Sequence, residues 1–245
     1  MSYMPQDLGE AINSVGLSVV LPMYNEAENI RHTIGAIDKE LSNLPLDYEI
    51  IVSDDGSCDG SAEAVRAIAG FNKRIRLIGY PKNRGYGYAL RYGFQHATKD
   101  FVLYTDSDLP CDISVLKQKL PSLAQTDCLI GFRRRRYGII RRIYSAVYNR
   151  LVKAVFKIKV KDVNFSFKLF KKNILSKLEL KSNGPFIDTE MIAKVLKKGY
   201  RIEEIEMDYF PRKYGKSKLS SLRAILIILY EMVKLYPEIA NTERE

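Results

Sequence analysis

Cysteine and histidine are scarce in this chain, and neither is spaced for chemistry. The 245 residues hold three cysteines and two histidines. Cys58, Cys111 and Cys128 are too few and too odd in number to staple a fold, which points to free thiols in a reducing compartment. His32 and His96 fall in helix-like stretches without a partner at ligand spacing. That excludes a zinc site and a Ser-His-Asp arrangement, and both histidines read as structural. There is no Walker loop and no G-x-G-x-x-G dinucleotide fingerprint. No basic segment leads into an apolar one at the start, so no secretory signal is expected. Long apolar runs are missing too. The longest, "AILIILYEMVKLY", is broken by Glu231 and Lys234, short of the roughly 20 apolar residues a spanning helix needs. Internal repeats, low-complexity segments and an interdomain linker are also absent.

What the chain has is positive charge. Its net charge is +10 and its pI about 9.3, which predicts an anionic partner: nucleic acid, nucleotide, lipid phosphate or membrane surface. It also has regular alternation. Strand-like runs at 17–24, 48–55, 74–80 and 101–106 alternate with helix-like segments, the first carrying Ile30, Ile34, Ile37 and Leu41 at helical spacing. Such alternation predicts an α/β fold with a mixed, mainly parallel sheet flanked by helices. Beyond about 128 the pattern changes. A basic helix is expected over 141–157, strand character over 160–173, a helix with Gly199 near its C-cap, a last strand after 201, and an amphipathic helix over 219–236 closed by Pro237.

Ligands of parallel α/β sheets sit outside the carboxyl ends of the strands. Those ends are unusually acidic here. In "FVLYTDSDLP" (101–110) an apolar strand runs into Asp106-Ser107-Asp108. Two carboxylates one residue apart suit a hard cation, Mg²⁺ or Mn²⁺, shared with substrate phosphates; the same residues also suit an ordinary turn. In "IIVSDDGSCDGS" (50–61), Asp54 or Asp55 could accept a hydrogen bond from a base N–H, while Ser57, Asp59 and Ser61 suit local turn and capping roles. In "PKNRGYGYA" (81–89), Arg84 beside two glycines could hold phosphate near a helix start. Six arginines between 133 and 142 suit phosphate or an anionic surface, or else form a solvated basic face. Acidic strand ends would repel a nucleic-acid backbone, so nucleic acid is not the expected partner.

The segments "LSVVLPMYNEAENI", "YEIIVSDDGSCDGS", "NRGYGYALRYGF" and "FVLYTDSD", in that order, resemble the family 2 glycosyltransferases of GT-A fold. "GFRRRR", "RRIYSAVYNRLV", "KDVNFSFKLFKKN" and "DYFPRKYGKSKL" resemble the dolichol-/polyprenyl-phosphate mannosyltransferase-like branch. The resemblance covers about 17–219. It implies an N-terminal extension (1–16), a GT-A domain (17–218) and a C-terminal amphipathic helix with its tail (219–245). Within the domain, 17–110 would be the nucleotide-sugar half and 111–218 the acceptor half.

The resemblance further implies an inverting, metal-dependent transferase. Its donor would be GDP-mannose or a UDP-sugar, and its acceptor a polyprenyl- or dolichyl-phosphate-type lipid at the cytoplasmic face of a membrane. Pro22, Tyr24, Glu26, Asp54, Asp55, Arg84, Ser107 and Lys218 would serve the donor. Asp106 and Asp108 would hold Mg²⁺ or Mn²⁺, and Arg133, Arg141 and Ser145 the acceptor phosphate. Arg212 and Lys218 would belong to a basic loop closing over the donor. A glycan or small-molecule hydroxyl acceptor would instead need a general base, for which Asp188 and Glu190 are the candidates, with a helix-capping role as the alternative. Two departures stand out. Pro110 occupies the place of a metal-binding amide, leaving a third ligand to water or Asp112, and "NFSF" (164–167) replaces a segment ending Gly-Phe.

Overall fold

A computed structural model describes residues 15–134, 139–212 and 222–244, with backbone only for Ala124, 139–145 and 222–223. The first half runs β1 (Gly16–Met23), α1 (Ala27–Ser42), β2 (Asp47–Asp54), α2 (Ser61–Phe71), β3 (Ile75–Gly79), α3 (Tyr86–His96) and β4 (Phe101–Thr105). Then come α4 (Val115–Lys119), a 3₁₀ turn (Leu120–Gln125), β5 (Cys128–Arg133), α5 (Ile139–Phe156), β6 (Phe167–Lys171), α6 (Lys172–Lys177), α7 (Ile187–Lys197), β7 (Ile202–Met207) and α8 (Leu222–Ala240).

The described strands form one seven-stranded sheet in the order β3-β2-β1-β4-β6-β5-β7. Pairing is parallel except for β6, which runs antiparallel to both β4 and β5. Side chains of a strand alternate between faces, and both faces here are covered. Leu17, Val19, Leu21, Ile50, Val52 and Leu103 pack beneath α1, α2 and α4. Val20, Ile51, Val102, Tyr104 and Phe170 pack beneath α3, α5, α7 and α8. Burial on both faces explains why these strands read as continuous apolar runs.

Register puts the functional edge in one place. Met23 pairs with Asp54, and Thr105 with Phe167, so the exits of β1, β2 and β4 and the entry of β6 share an edge. Arg133 pairs with Met207, which brings the exits of β5 and β7 to the same edge. A bridge between Cys111 and Tyr209, with the Phe210 N–H donating to the Pro110 carbonyl at 2.8 Å, carries the chain after β7 back across β4.

Three expectations need correction. Strand character at 160–173 is confined to 167–171; the residues before it cross the edge and those after it form α6. The run "CLIGFR", not anticipated as a strand, is β5, buried between β6 and β7. Pro237 does not close the last helix, which continues to Ala240. An interior proline costs roughly 3 kcal/mol. Leu235 and Ile239, both buried against the core on either side of it, return about 1.5–3 kcal/mol each, and the Pro237 carbonyl still accepts from the Asn241 N–H at 3.1 Å.

Candidate active site

At the end of β4 the chain turns sharply. Leu109 adopts φ 44°, a left-handed conformation that costs a branched residue about 1–3 kcal/mol and persists only where the surroundings impose it. Those surroundings are visible. The buried Ser107 hydroxyl donates to the Pro22 carbonyl at 2.5 Å, the Thr33 hydroxyl donates to the Ser107 carbonyl at 2.7 Å, and the Leu109 N–H reaches the Asp106 carbonyl at 3.0 Å. The Asp106–Asp108 loop is thus bolted to β1 and α1.

The two carboxylates have distinct surroundings. Asp106 accepts from the Tyr86 hydroxyl at 2.9 Å, and the Ser166 side chain lies near enough to favour its charge. Burial, reinforced by the neighbouring Asp108, pushes its ionisation up to about 7 despite those two hydroxyls. Burial likewise raises Asp108, opposed by Arg212 and reinforced by Glu26. Arg212 Nε donates to Asp108 Oδ2 at 3.0 Å, and the same guanidinium pairs with Glu26. The other oxygen, Asp108 Oδ1, is buried with no hydrogen-bond partner among the described residues.

A buried carboxylate oxygen without a donor is costly unless something electropositive meets it. Two adjacent raised carboxylates and one orphaned oxygen therefore fit a hard divalent cation. Among the described residues no group of three or more acids, histidines or cysteines gathers. A cation here would take its remaining ligands from substrate phosphate and water, the usual habit of Mg²⁺. Asp112 is exposed and caps its own turn, accepting from the Ser114 N–H at 2.9 Å.

The remaining donor-side candidates line the neighbouring strand ends. Asp54 Oδ1 accepts from the Ser57 N–H at 3.0 Å. Asp55 is buried and gathers the loop after β3, accepting from Asn83 Nδ2 at 2.8 Å and from the N–H groups of Arg84 and Gly85 at 2.6 and 3.0 Å. Burial raises its pKa despite these donors. The Arg84 guanidinium lies over the Tyr88 ring, 4.4 Å from its centroid. Tyr24 and Glu26 sit half-buried beside the β1 exit. Asp59 accepts from the Ser61 N–H at 3.0 Å at the start of α2, as a capping role requires, and Asp59 and Ser61 also hold the start of α1. The Ala27 N–H donates to Asp59 Oδ2 at 3.1 Å and the Glu26 N–H to Ser61 Oγ at 2.8 Å.

The family profile "Glycosyl transferase family 2" matches residues 18–179. The chain belongs to glycosyl transferase family 2. The glycosyltransferase AglD of Haloferax volcanii is 31% identical over 223 residues, covering 86% of this chain and 35% of AglD, so the chain spans about a third of that relative's length. Two solved structures share the fold. Glucosyl-3-phosphoglycerate synthase from Mycobacterium tuberculosis in complex with UDP superposes with a TM-score of 0.73 at 18% identity, over 100% of this chain and 87% of that one. Mannosyl-3-phosphoglycerate synthase from Rubrobacter xylanophilus gives 0.72 at 19%, over 99% and 82%. The GT-A architecture, with its mainly parallel sheet and C-terminal helix, stands as expected.

Within this family 2 chain, the expected acceptor residues are not equally placed. Arg133 leaves β5 at the shared edge, with Nε 3.3 Å from the buried Asp162 and its guanidinium 5.3 Å from each of the Phe165 and Tyr209 ring centroids. Arg141 and Ser145 lie on the backbone of α5 without described side chains, and Lys218 lies outside the described residues. The two base candidates need correction. Glu190 is fully buried and accepts from the N–H groups of Lys181 and Ser182 at 2.9 and 2.8 Å and from Lys194 at 2.9 Å. With both oxygens occupied, it pins the loop before α7 and cannot take a proton from an acceptor. Asp188 is 5% exposed, paired with Lys168 at 2.6 Å and with the Tyr104 hydroxyl. It balances a buried lysine and does not face solvent as a base.

Tyr86 and Ser166, which touch Asp106, were not among the expected site residues. Tyr86 lies inside "NRGYGYALRYGF" and Ser166 inside the departing "NFSF", so the signal was present but carried no chemistry until β6 was placed beside β4.

Proposed function

We propose that this chain is an inverting, metal-dependent transferase that moves a sugar from a nucleoside-diphosphate sugar onto the phosphate of a polyprenyl-type lipid. The observation that carries the reading is the Asp106/Asp108 pair at the strand edge, with Asp108 Oδ1 left without a donor and Arg212 beside it. Asp106 and Asp108 would hold Mg²⁺ or Mn²⁺, as the M. tuberculosis neighbour holds Mn²⁺ with UDP. Bound there, the cation would offset charge building on the leaving nucleoside diphosphate, as a Lewis acid does. Pro22, Tyr24, Glu26, Asp54, Asp55, Arg84 and Ser107 frame the donor cleft. Arg212 and Lys218 would contribute positive charge over the donor phosphates.

Transfer replaces the bond between the anomeric carbon and the donor phosphate oxygen with one to the acceptor oxygen. A phosphate acceptor is already ionised and needs no proton removed. The sequestration of Asp188 and Glu190 favours it over a hydroxyl acceptor, which requires a base within hydrogen-bond reach. Arg133, Arg141 and Ser145 would hold that phosphate. The structural neighbours are glucosyl- and mannosyl-3-phosphoglycerate synthases, the first solved with UDP-glucose and the phosphate-bearing phosphoglyceric acid.

A lipid acceptor is favoured by α8. Leu226, Tyr230 and Val233 are 59, 65 and 73% exposed, alongside Val147 of α5 and Tyr236. Apolar side chains on an amphipathic helix, near a strongly basic segment, suit an anionic membrane surface. Among the described residues no helix is long and apolar enough to cross a membrane; on this reading the domain works at the surface of the cytoplasmic face. The test is transfer from GDP-mannose and UDP-glucose, with Mn²⁺, to a short-chain polyprenyl phosphate and separately to phosphoglycerate. A sugar-phosphoryl-lipid product is expected. Transfer only to phosphoglycerate would replace the lipid reading with a soluble phosphate acceptor.

A further inference from the structure

Asp106 does not stand alone at the strand end. Its carboxylate accepts from the Tyr86 hydroxyl, at the first turn of α3, at 2.9 Å, and Ser166, immediately before β6, lies beside it. We propose that Tyr86 and Ser166 are positioning residues that aim Asp106 at the divalent cation; the inference rests on the metal reading above.

Tyr86 is placed by its neighbours. Gly85 has φ +107°, and a Cβ there would lie 2.4 Å from the Asn183 carbonyl oxygen; one on Gly87 would lie 2.6 Å from that of Ser182. Only glycine on both sides of Tyr86 lets the 182–184 loop come this close. The Gly87 N–H donates to the Asn183 carbonyl at 2.8 Å, and Asp55 holds the N–H groups of Arg84 and Gly85. The start of α3 is therefore clamped from two directions, and the Tyr86 ring packs on the core beneath. Behind it, Asp188 is occupied by Lys168 and Tyr104, and the Tyr86 proton goes to Asp106 Oδ1. Ser166 approaches through strand pairing, since Phe167 lies opposite Thr105 in the β4–β6 register.

A carboxylate that accepts hydrogen bonds of fixed direction loses rotational freedom and presents its remaining lone pairs in one orientation. Outer hydrogen bonds of this kind are commonly worth about 10–100-fold in metal affinity. Tyr86→Phe keeps the packed ring and removes only the donor, while Ser166→Ala removes the neighbouring buried hydroxyl with little change in volume.

The experiment is Mn²⁺ titration by electron paramagnetic resonance at saturating UDP, on wild type, Tyr86→Phe, Ser166→Ala and Asp106→Asn. Metal-free thermal unfolding of each confirms the fold. In a turnover assay the metal concentration for half-maximal rate is read separately from the rate at saturating metal. Each hydroxyl variant should bind Mn²⁺ about 10-fold more weakly, with much of the turnover recovered at saturating metal. If both bind Mn²⁺ as wild type does while Asp106→Asn does not, the positioning inference falls and the metal reading stands. If wild type and Asp106→Asn bind Mn²⁺ equally, or neither binds, both fall.

Discussion

Replacing Asp106 by asparagine should stabilise the metal-free protein while removing its response to Mn²⁺. Asp106 ionises near 7 in the fold, against an ordinary value of 3.8, because burial and the adjacent Asp108 disfavour its charge. A group whose folded pKa is raised in this way retains its proton in the native state between about 4 and 7, while the unfolded chain has lost it. The unfolded state then binds fewer protons, so stability falls as pH rises across that window, at up to about 1.4 kcal/mol per pH unit. Integrated, the penalty is roughly 4 kcal/mol at most. Because Asp108 shares the burden, about 2–4 kcal/mol is the expected size. Asparagine cannot ionise, and its Oδ1 can still accept from Tyr86. At 2–4 °C per kcal/mol for a domain of this size, Asp106→Asn should melt roughly 5–15 °C above wild type at pH 7.5 in EDTA. The gap should close toward pH 4. Differential scanning calorimetry of both proteins from pH 4 to 8 is the assay. A gap that does not change with pH, or a variant less stable than wild type at pH 7.5, would refute the reasoning.

Two further perturbations test how the site is held. Glu231 of α8 receives Ser182 Oγ at 2.8 Å and the N–H groups of Asn183 and Gly184 at 2.9 and 3.0 Å; Glu231→Ala should cost on the order of 2–3 kcal/mol by stranding those donors, read as a lowered urea midpoint, and an unchanged midpoint would show that α8 docks without them. Gly87→Ala would drive its Cβ against the Ser182 and Gly184 carbonyls, at 2.6 and 2.7 Å. Both are backbone atoms, so the loop or α3 must shift, and weaker UDP binding with a lower melting temperature is expected; wild-type values for both would show that the clamp is soft.

The parts of the site legible in the sequence were those whose meaning is local. Asp106 and Asp108 are separated by a single residue and follow an apolar run, so their place at a strand end needed only the period of a buried parallel strand. The alternation before them fixed β1 to β4 for the same reason. What stayed hidden depends on β6. Inserted antiparallel between β4 and β5, it delivers Lys168 to Asp188 and Ser166 to Asp106, and no spacing in "NFSFKLF" announces this. The burial of Glu190 was likewise invisible, because beside Lys194 its partners are backbone N–H groups that any sequence carries. Asp59 shows the limit at the smallest scale: its type predicted a cap on the helix that follows, which it provides through Oδ1, and only the packing of α1 against the β2 exit revealed that Oδ2 serves a second helix.

The central claim is that Asp106 and Asp108 bind a nucleoside diphosphate through a divalent cation. Isothermal titration of UDP and GDP into wild type and Asp108→Ala, each with Mn²⁺ and with EDTA, tests it most directly. Wild type should bind one of the two nucleotides at least 10-fold more tightly with Mn²⁺, a difference of about 1.4 kcal/mol, and a folded Asp108→Ala should lose that gain. Equal affinity with and without Mn²⁺ in wild type, or an undiminished gain in Asp108→Ala, would contradict the account.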